Sequence, residues 1–379
     1  MSGGGAIGMT RGYSLYLDAV RGFAALVVLV SHLGFYWVSG GSLQWIRDLN
    51  LGSDFVIVFF VLSGVVIAHT SRVKDKTLGN FATARLSRLY SVAIPAIALS
   101  YAAWAIMSTY PGAEAETRDF AREIFASLTF TNYVWFSEAR LPTNGPFWSV
   151  AYEFWYYALF GVWTFLKGRA RLCGLAAILL IVGVQVLLLL PCWLLGVYVY
   201  RCVTSGSSPV QDRRRAWVWT LAPLVIYAIA LAAHLPLFLK GLTTMALFGA
   251  SPYAVLHFSD EFLWNTIIAG LVAMHFIGAA TLTGERTPAE SVKKTVRWWS
   301  ARTFSLYLFH MPVLHIIARH PSFDASNPAH TIACGIIVVA SCLLLAELTE
   351  RRLDWMRDKA ARLRSVVANA AVQGRAKEA

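Results

Sequence analysis

Long apolar runs separated by short loops constrain this chain more than any other feature. Runs near 16–37, 54–70, 89–107, 147–166, 216–233, 262–282, 302–319 and 330–348 each approach the about 20 residues that a helix needs to cross a bilayer. A further apolar stretch, 172–200, is longer and contains Pro191. In lipid a backbone must satisfy its own hydrogen bonds, so runs of this kind specify helices. Charged residues are 14% of the 379 positions and hydrophobic residues 57%. A soluble domain carries about 25% charged residues, so this composition fits lipid as its solvent.

The loops fall into two sets. Loop 71–88 carries Arg72, Lys74, Lys76, Arg85 and Arg88, and loop 167–171 carries Lys167, Arg169 and Arg171. Loop 201–215 carries Arg201, Arg213, Arg214 and Arg215, and loop 283–301 carries Arg286, Lys293, Lys294 and Arg297. The tail after Leu348 is basic as well. Segments 38–53, 108–146, 234–261 and 320–329 have few basic residues, or balance them with acids such as Glu114, Glu116, Asp119 and Glu123. The sets alternate only if 172–200 crosses twice, as spans near 172–186 and 187–200; one long bent helix is the alternative. The positive-inside rule then puts both termini in the cytoplasm.

The expected fold is all-α, a polytopic membrane helix bundle of about ten transmembrane helices. Its parts are a cytoplasmic N-terminal tail 1–15, a membrane domain 16–348 and a basic cytoplasmic C-terminal tail 349–379. The short spans at 172–200 must tilt or thin the bilayer. Ala121–Phe136 reads as an interfacial helix and Leu247–Phe258 as a re-entrant segment. The Gly-rich N-terminus leads into an apolar run without a small-residue cleavage site, as an uncleaved first span does. The net charge of +12 resides in the short loops and the tail, which argues against nucleic acid as a partner. The five cysteines lie in or beside apolar runs with no zinc or disulfide spacing, and no metal is expected.

Ionisable residues inside spans are costly and draw attention as functional. The first span holds Asp18, Arg21 and His32. Arg21 and His32 are almost three helical turns apart, so they share a face about 16 Å apart along the axis. The fourth span holds Glu153 about two turns from its outer end, at a depth similar to His32, where it can orient that imidazole. The plainer readings are a snorkelling Arg21, a packed His32 and a polar clamp at Glu153. His310 sits mid-span with Pro312 close behind, a kink or a site. His315 is a weaker candidate, and His275 reads as structural. Ser63–Gly64 in the second span allows close helix approach. Arg85 and Arg88 are one turn apart at the entry of the third span, either as topology charges or as a pair that clasps phosphate.

Five segments, in order along the chain, resemble the acyltransferase-3 family of membrane acyltransferases. They are Leu17-Asp18-Ala19-Val20-Arg21-Gly22 followed by His32; Phe59-Phe60-Val61-Leu62-Ser63-Gly64; Arg85-Leu86-Ser87-Arg88-Leu89-Tyr90; Trp148-Ser149-Val150-Ala151-Tyr152-Glu153; and Ser305-Leu306-Tyr307-Leu308-Phe309-His310-Met311-Pro312. The chain departs from the family pattern where Pro95 follows the third segment late, where Phe154 replaces a second acid, and where the last span ends Glu347-Leu348-Thr349.

The resemblance implies a bacterial cytoplasmic-membrane enzyme. It would move an acyl group, acetyl in the first instance, from acyl-CoA to a hydroxyl of a saccharide or other surface acceptor; succinyl-CoA is the alternative donor. His32 would be the general base or transient acyl carrier, with Glu153 orienting it. Arg85 and Arg88 would hold CoA phosphates, and Arg21, Ser63 and His310 would line the path or polarise the thioester. No hydrolase-like domain follows the last span, so the membrane domain is expected to finish the transfer alone. A proton-coupled transporter is the rival class, because buried acids and histidines also relay protons.

Overall fold

The computed structural model describes residues 9–111, 117–135, 137–205, 208–284 and 288–352. Most of both expected tails, together with Glu114, Glu116 and Arg286, lies outside the described residues. In order the helices are α1 (Arg11–Leu33), α2 (Tyr36–Ser39), α3 (Gln44–Asp48), α4 (Leu51–Val73), α5 (Leu78–Met107), α6 (Phe120–Leu128), α7 (Phe147–Phe165) and α8 (Gly168–Leu188). They continue as α9 (Leu190–Thr204), α10 (Arg213–Ala232), α11 (Leu235–Ala246), α12 (Pro252–Leu256), α13 (Phe262–Thr283), α14 (Glu290–Ser300), α15 (Thr303–Ala318) and α16 (Pro328–Leu348). No strand occurs among the described residues.

Among the described residues, seven helical stretches are long and apolar enough to cross a membrane: α1, α4, α5, α8, α10, 252–283 and 328–352. The other expected spans correspond to α7, whose length is 19 residues but which is rich in Trp and Tyr, and to α9 and α15, apolar helices of 15 and 16 residues. Short apolar α11 has no counterpart among the expected spans. Several helices outrun their apolar windows, because helix ends are set by caps. The Thr10 hydroxyl accepts from the Tyr13 amide, starting α1 inside the expected tail, and Thr77 accepts from Asn80, so Arg85 and Arg88 stand on α5 rather than in a loop. The expected loop 283–301 contains amphipathic α14, which lies against α1.

Stretch 172–200 is two helices. Gly183 breaks α8 with φ +76°, and a Cβ there would stand 2.7 Å from the Trp135 amide nitrogen, so only glycine fits. Leu180 and Val182 accept hydrogen bonds from Trp135, and Gln185 donates to Val255. Residues 180–187 therefore meet 135 and 255–259, while Arg72 lies over Tyr200 near the end of α9. The four weakly basic segments also gather at one end. Asn50 donates to Glu261, Arg140 to Tyr253 and Tyr110 to the Ile316 carbonyl beside His320, and Gly40 abuts Ala325.

Helix α4 is central: 67% of its apolar window is buried, against 17% for α10, whose Leu221, Leu224, Val225 and Ile229 remain exposed as a lipid-facing side requires. Small residues draw α4 and α9 together. A Cβ at Gly64 would lie 2.2 Å from the Trp193 carbonyl oxygen, and one at Gly196 2.0 Å from that of Val61. Buried polar groups brace the bundle. Asp54 accepts from Tyr227 at 2.6 Å and from Trp264 at 3.0 Å, joining α4, α10 and α13. His275 meets the Thr220 carbonyl at 2.7 Å and the Tyr16 hydroxyl, a structural brace. Arg302 pairs with Glu347 between α15 and α16.

Candidate active site

Two polar centres lie along the face of α1 that carries Arg21 and His32. The first is a small chamber of about 70 Å³ between α1, α4, α5, α7 and α15. Its walls include Arg21, Ser63, Arg88, Glu153, Tyr157 and Tyr307, so four of the seven expected site residues meet there.

Hydrogen positions in the chamber follow from donor counting. The Tyr157 hydroxyl lies 2.5 Å from the Glu153 carboxylate oxygen Oε1, which only accepts when ionised, so Tyr157 gives its single proton to Glu153. Ser63 Oγ, 3.2 Å away, therefore donates to Tyr157, and it accepts from Trp193 Nε1 at 3.0 Å. A directed chain Trp193, Ser63, Tyr157, Glu153 results. Tyr157 is one helical turn beyond Glu153 on α7, an i,i+4 relation that the sequence displayed and the expected site omitted.

The two chamber arginines differ. Arg21 Nη1 donates to Asp18 at 3.1 Å and to Ser300 Oγ at 3.2 Å, and Ser300 itself donates to Asp18 at 3.0 Å. Arg88 lies within the electrostatic reach of Tyr157, Glu350, Glu153 and Asp18, and its guanidinium makes no hydrogen bond or ion pair among the described residues; the guanidinium carbon lies 5.9 Å from the Phe304 ring centre. Glu350, just beyond α16, accepts from the Ser305 amide at 3.1 Å and hydroxyl at 3.0 Å. It carried no sequence signal, being placed in the expected tail.

Arg85 lies elsewhere. It is buried, ion-paired to Asp75 and donates to Thr70 Oγ1 at 2.8 Å. The expected Arg85–Arg88 clasp is thus divided: Arg88 enters the chamber, and Arg85 fastens the 74–77 turn to α5. Residues three apart on a helix differ by about 60° in direction, enough to send the two side chains to different neighbours.

The second centre is a histidine pair. His310 Nε2 is 3.2 Å from His32 Nδ1, with ring centroids 4.9 Å apart. His32 Nδ1 also lies 2.7 Å from the Val28 carbonyl oxygen, and His310 Nδ1 lies 3.1 Å from that of Leu306. Carbonyl oxygens only accept, so both Nδ1 atoms carry hydrogen in the neutral rings. His310 Nε2 then accepts from His32 Nδ1–H, which it shares with Val28. His32 Nε2 is left with its lone pair.

The partner that orients His32 is therefore His310. Among the described residues no hydrogen bond joins His32 to Glu153, whose carboxylate is taken by Tyr157. Pro312 supports the pair indirectly. Lacking an N–H, it leaves the Leu308 carbonyl free, and buried Asn144 donates to that oxygen at 2.9 Å. Tyr307 stands between the two centres: its hydroxyl meets Ser149 at 2.7 Å, and its ring lies 6.1 Å from His310 and 5.7 Å from Phe59. His315 stacks on Trp37 at 4.7 Å and makes no hydrogen bond to either centre among the described residues. Among the described residues no cluster of three or more His, Cys, Asp or Glu could hold a metal ion.

The bundle thus places a hydrogen-bonded histidine pair near an arginine-bearing chamber. The acyltransferase domain model matches residues 14–347, nearly the whole chain, and the chain belongs to that family. It is a multi-pass membrane protein. It is similar to the peptidoglycan O-acetyltransferase OatA of Listeria monocytogenes, 24% identical over 91% of this chain and 56% of that protein. It is also similar to the putative peptidoglycan O-acetyltransferase YrhL of Bacillus subtilis, 25% identical over 88% of this chain and 53% of that one. The O-acetyltransferase OatA of Staphylococcus aureus is 23% identical over 89% of this chain and 56% of its own length. The chain thus spans about half the length of the curated relatives it matches. No solved structure matches it significantly.

Proposed function

We propose that this chain is a membrane O-acyltransferase that moves an acyl group, acetyl in the first instance, from cytoplasmic acyl-CoA to a hydroxyl of an extracytoplasmic glycan. The membership of the family and the peptidoglycan named in two relatives' names support acetyl transfer to a saccharide. The alternating loop charges support a bacterial cytoplasmic-membrane protein of ten crossings, with both termini inside and 38–53, 108–146, 234–261 and 320–329 outside.

The observation that carries this reading is the Nε2 of His32, which has no hydrogen-bond partner among the described residues while Nδ1 is held by Val28 and His310. The acceptor hydroxyl gives its proton to that nitrogen as its oxygen attacks the thioester carbonyl. The tetrahedral intermediate collapses, the carbon–sulfur bond breaks, and the imidazolium returns the proton to the leaving thiolate. His310 Nε2 stabilises the cationic His32 by accepting from Nδ1–H. Arg88, with its N–H groups unspent, is the donor-side cation for CoA phosphate or for the thioester oxygen, and Arg21 lines the same path. Glu153 and Ser63 hold Tyr157 in the chamber wall. Arg85 supports the helix from which Arg88 projects.

The test is to incubate purified protein with labelled acetyl-CoA or succinyl-CoA and to follow transfer to a hydroxyl acceptor or slow hydrolysis. Turnover of either that His32→Ala removes supports the reading, and the preferred thioester identifies the donor. Proton flux in proteoliposomes, with no turnover of either thioester, would favour the transporter instead.

A further inference from the structure

Beyond the two polar centres, the end of the bundle that gathers the weakly basic segments carries a groove of about 540 Å³. That is the size of a small-molecule site and far larger than the inner chamber. Its lining includes Trp45, Arg47, Asp48, Asn50, Lys240 and Glu261. Nothing in the acyl-transfer chemistry above uses these residues.

Most of the charge in this groove is already committed. Lys240 pairs with Asp260 at 3.1 Å and Glu261 at 3.2 Å, and Asn50 donates to Glu261 at 2.5 Å. Asp48, exposed on the rim next to Arg47, accepts from Gln44 at 3.1 Å. Arg47 is the exception. It is half-buried and its guanidinium makes no hydrogen bond or ion pair among the described residues; the guanidinium carbon sits over the Phe35 ring, 4.0 Å from its centre. A cation–π contact of this kind holds the group on the ring and leaves its N–H groups for a planar or tetrahedral oxyanion. The same Phe35 ring is 5.5 Å from the ring of His32. Arg47 is therefore one aromatic ring away from the base. Trp45, two residues before Arg47 on α3 and 57% exposed, offers a flat amphipathic surface in the same groove.

We propose that this groove is the acceptor subsite, and that it selects an acidic saccharide. One sugar face lies on Trp45, the carboxylate or phosphate of the saccharide pairs with Arg47, and the hydroxyl to be acylated points past Phe35 toward His32 Nε2. The assignment rests on the acyltransferase reading for the step that follows binding, but the binding itself is measured separately.

The experiment uses the full chain in lipid nanodiscs and three disaccharide probes of equal size: one neutral, one carrying a uronic carboxylate, and one carrying a phosphate monoester. Calorimetry gives each affinity for wild type, Arg47→Gln, Arg47→Lys and Trp45→Ala. A charge-assisted pair predicts that at least one acidic probe binds about tenfold or more tightly than the neutral one. Arg47→Gln removes that preference, Arg47→Lys keeps part of it, and Trp45→Ala weakens all three probes alike. The more tightly bound acidic probe identifies carboxylate or phosphate as the source of the anion. Equal binding of neutral and acidic probes by wild type overturns the proposal, as does an unchanged preference in folded Arg47→Gln. Acyl-CoA turnover by wild type is followed in parallel. If it is absent while the acidic preference and its dependence on Arg47 stand, the groove is upheld as a saccharide site and the acyltransferase reading fails.

Discussion

Replacing His310 tests the arrangement of the histidine pair. His310 Nε2 accepts from His32 Nδ1–H at 3.2 Å, while the Val28 carbonyl at 2.7 Å shares that hydrogen. Loss of His310 therefore leaves the tautomer of His32 held by Val28 and removes only the second acceptor. In the ground state that is one neutral hydrogen bond, about 0.5–1.5 kcal/mol. As His32 becomes imidazolium the same contact is charge-assisted, about 1.5–3 kcal/mol. The difference between the two states, about 1–1.5 kcal/mol, should lower kcat about 5- to 13-fold in His310→Ala with little change in KM for acyl-CoA, since the chamber that meets the donor is untouched. His310→Gln, which retains an acceptor, should fall between that variant and wild type. The assay is single-turnover transfer of labelled acetyl by variants matched to wild type in gel-filtration retention and thermal unfolding. A folded His310→Ala with wild-type kcat would refute the pair as functional. So would a unchanged kcat accompanied by a large rise in KM.

Arg88→Ala should raise KM for acyl-CoA about tenfold or more through the loss of a charge-assisted contact. Arg85→Ala leaves Asp75 unpaired and should lower thermal stability by about 3–5 kcal/mol while folded protein keeps its KM, read by steady-state kinetics beside thermal melts. Gly196→Ala forces a methyl against the Val61 carbonyl and should cost about 1–3 kcal/mol, seen as a lower Tm in detergent. In a cysteine-free background, Ser42→Cys should react with an impermeant maleimide on intact cells and Lys76→Cys should not; the reverse pattern would invert the topology.

Much of the fold was legible because lipid enforces simple rules. Apolar runs marked the long apolar helices, and loop charge pointed to a division of 172–200, which folds as two helices, α8 with a break at Gly183 and α9. The ends of helices were less visible, since Thr10 and Thr77 set them outside the apolar windows. For the site, the spacing and types of Arg21, Ser63, Arg88, Glu153, His32 and His310 were readable. Their partnerships were not. Depth put Glu153 level with His32, but depth does not say which helices touch, and α1 packs on α4, α14 and α15. His310, on α15, is consequently the residue that reaches His32. Arg47 and Trp193 lay in segments with no distinguishing pattern, and became visible only through their contacts with Phe35 and Ser63.

The central claim is that His32 is the base for acyl transfer from CoA. Its most direct measurement is the release of free CoA, and the appearance of labelled ester, from purified wild-type and His32→Ala protein supplied with labelled acetyl-CoA and a hydroxyl acceptor. General-base catalysis contributes about 10²- to 10⁴-fold, so His32→Ala should lose at least a hundredfold of wild-type turnover while still binding acyl-CoA and keeping its melting profile. Turnover by folded His32→Ala within a few-fold of wild type would contradict the account.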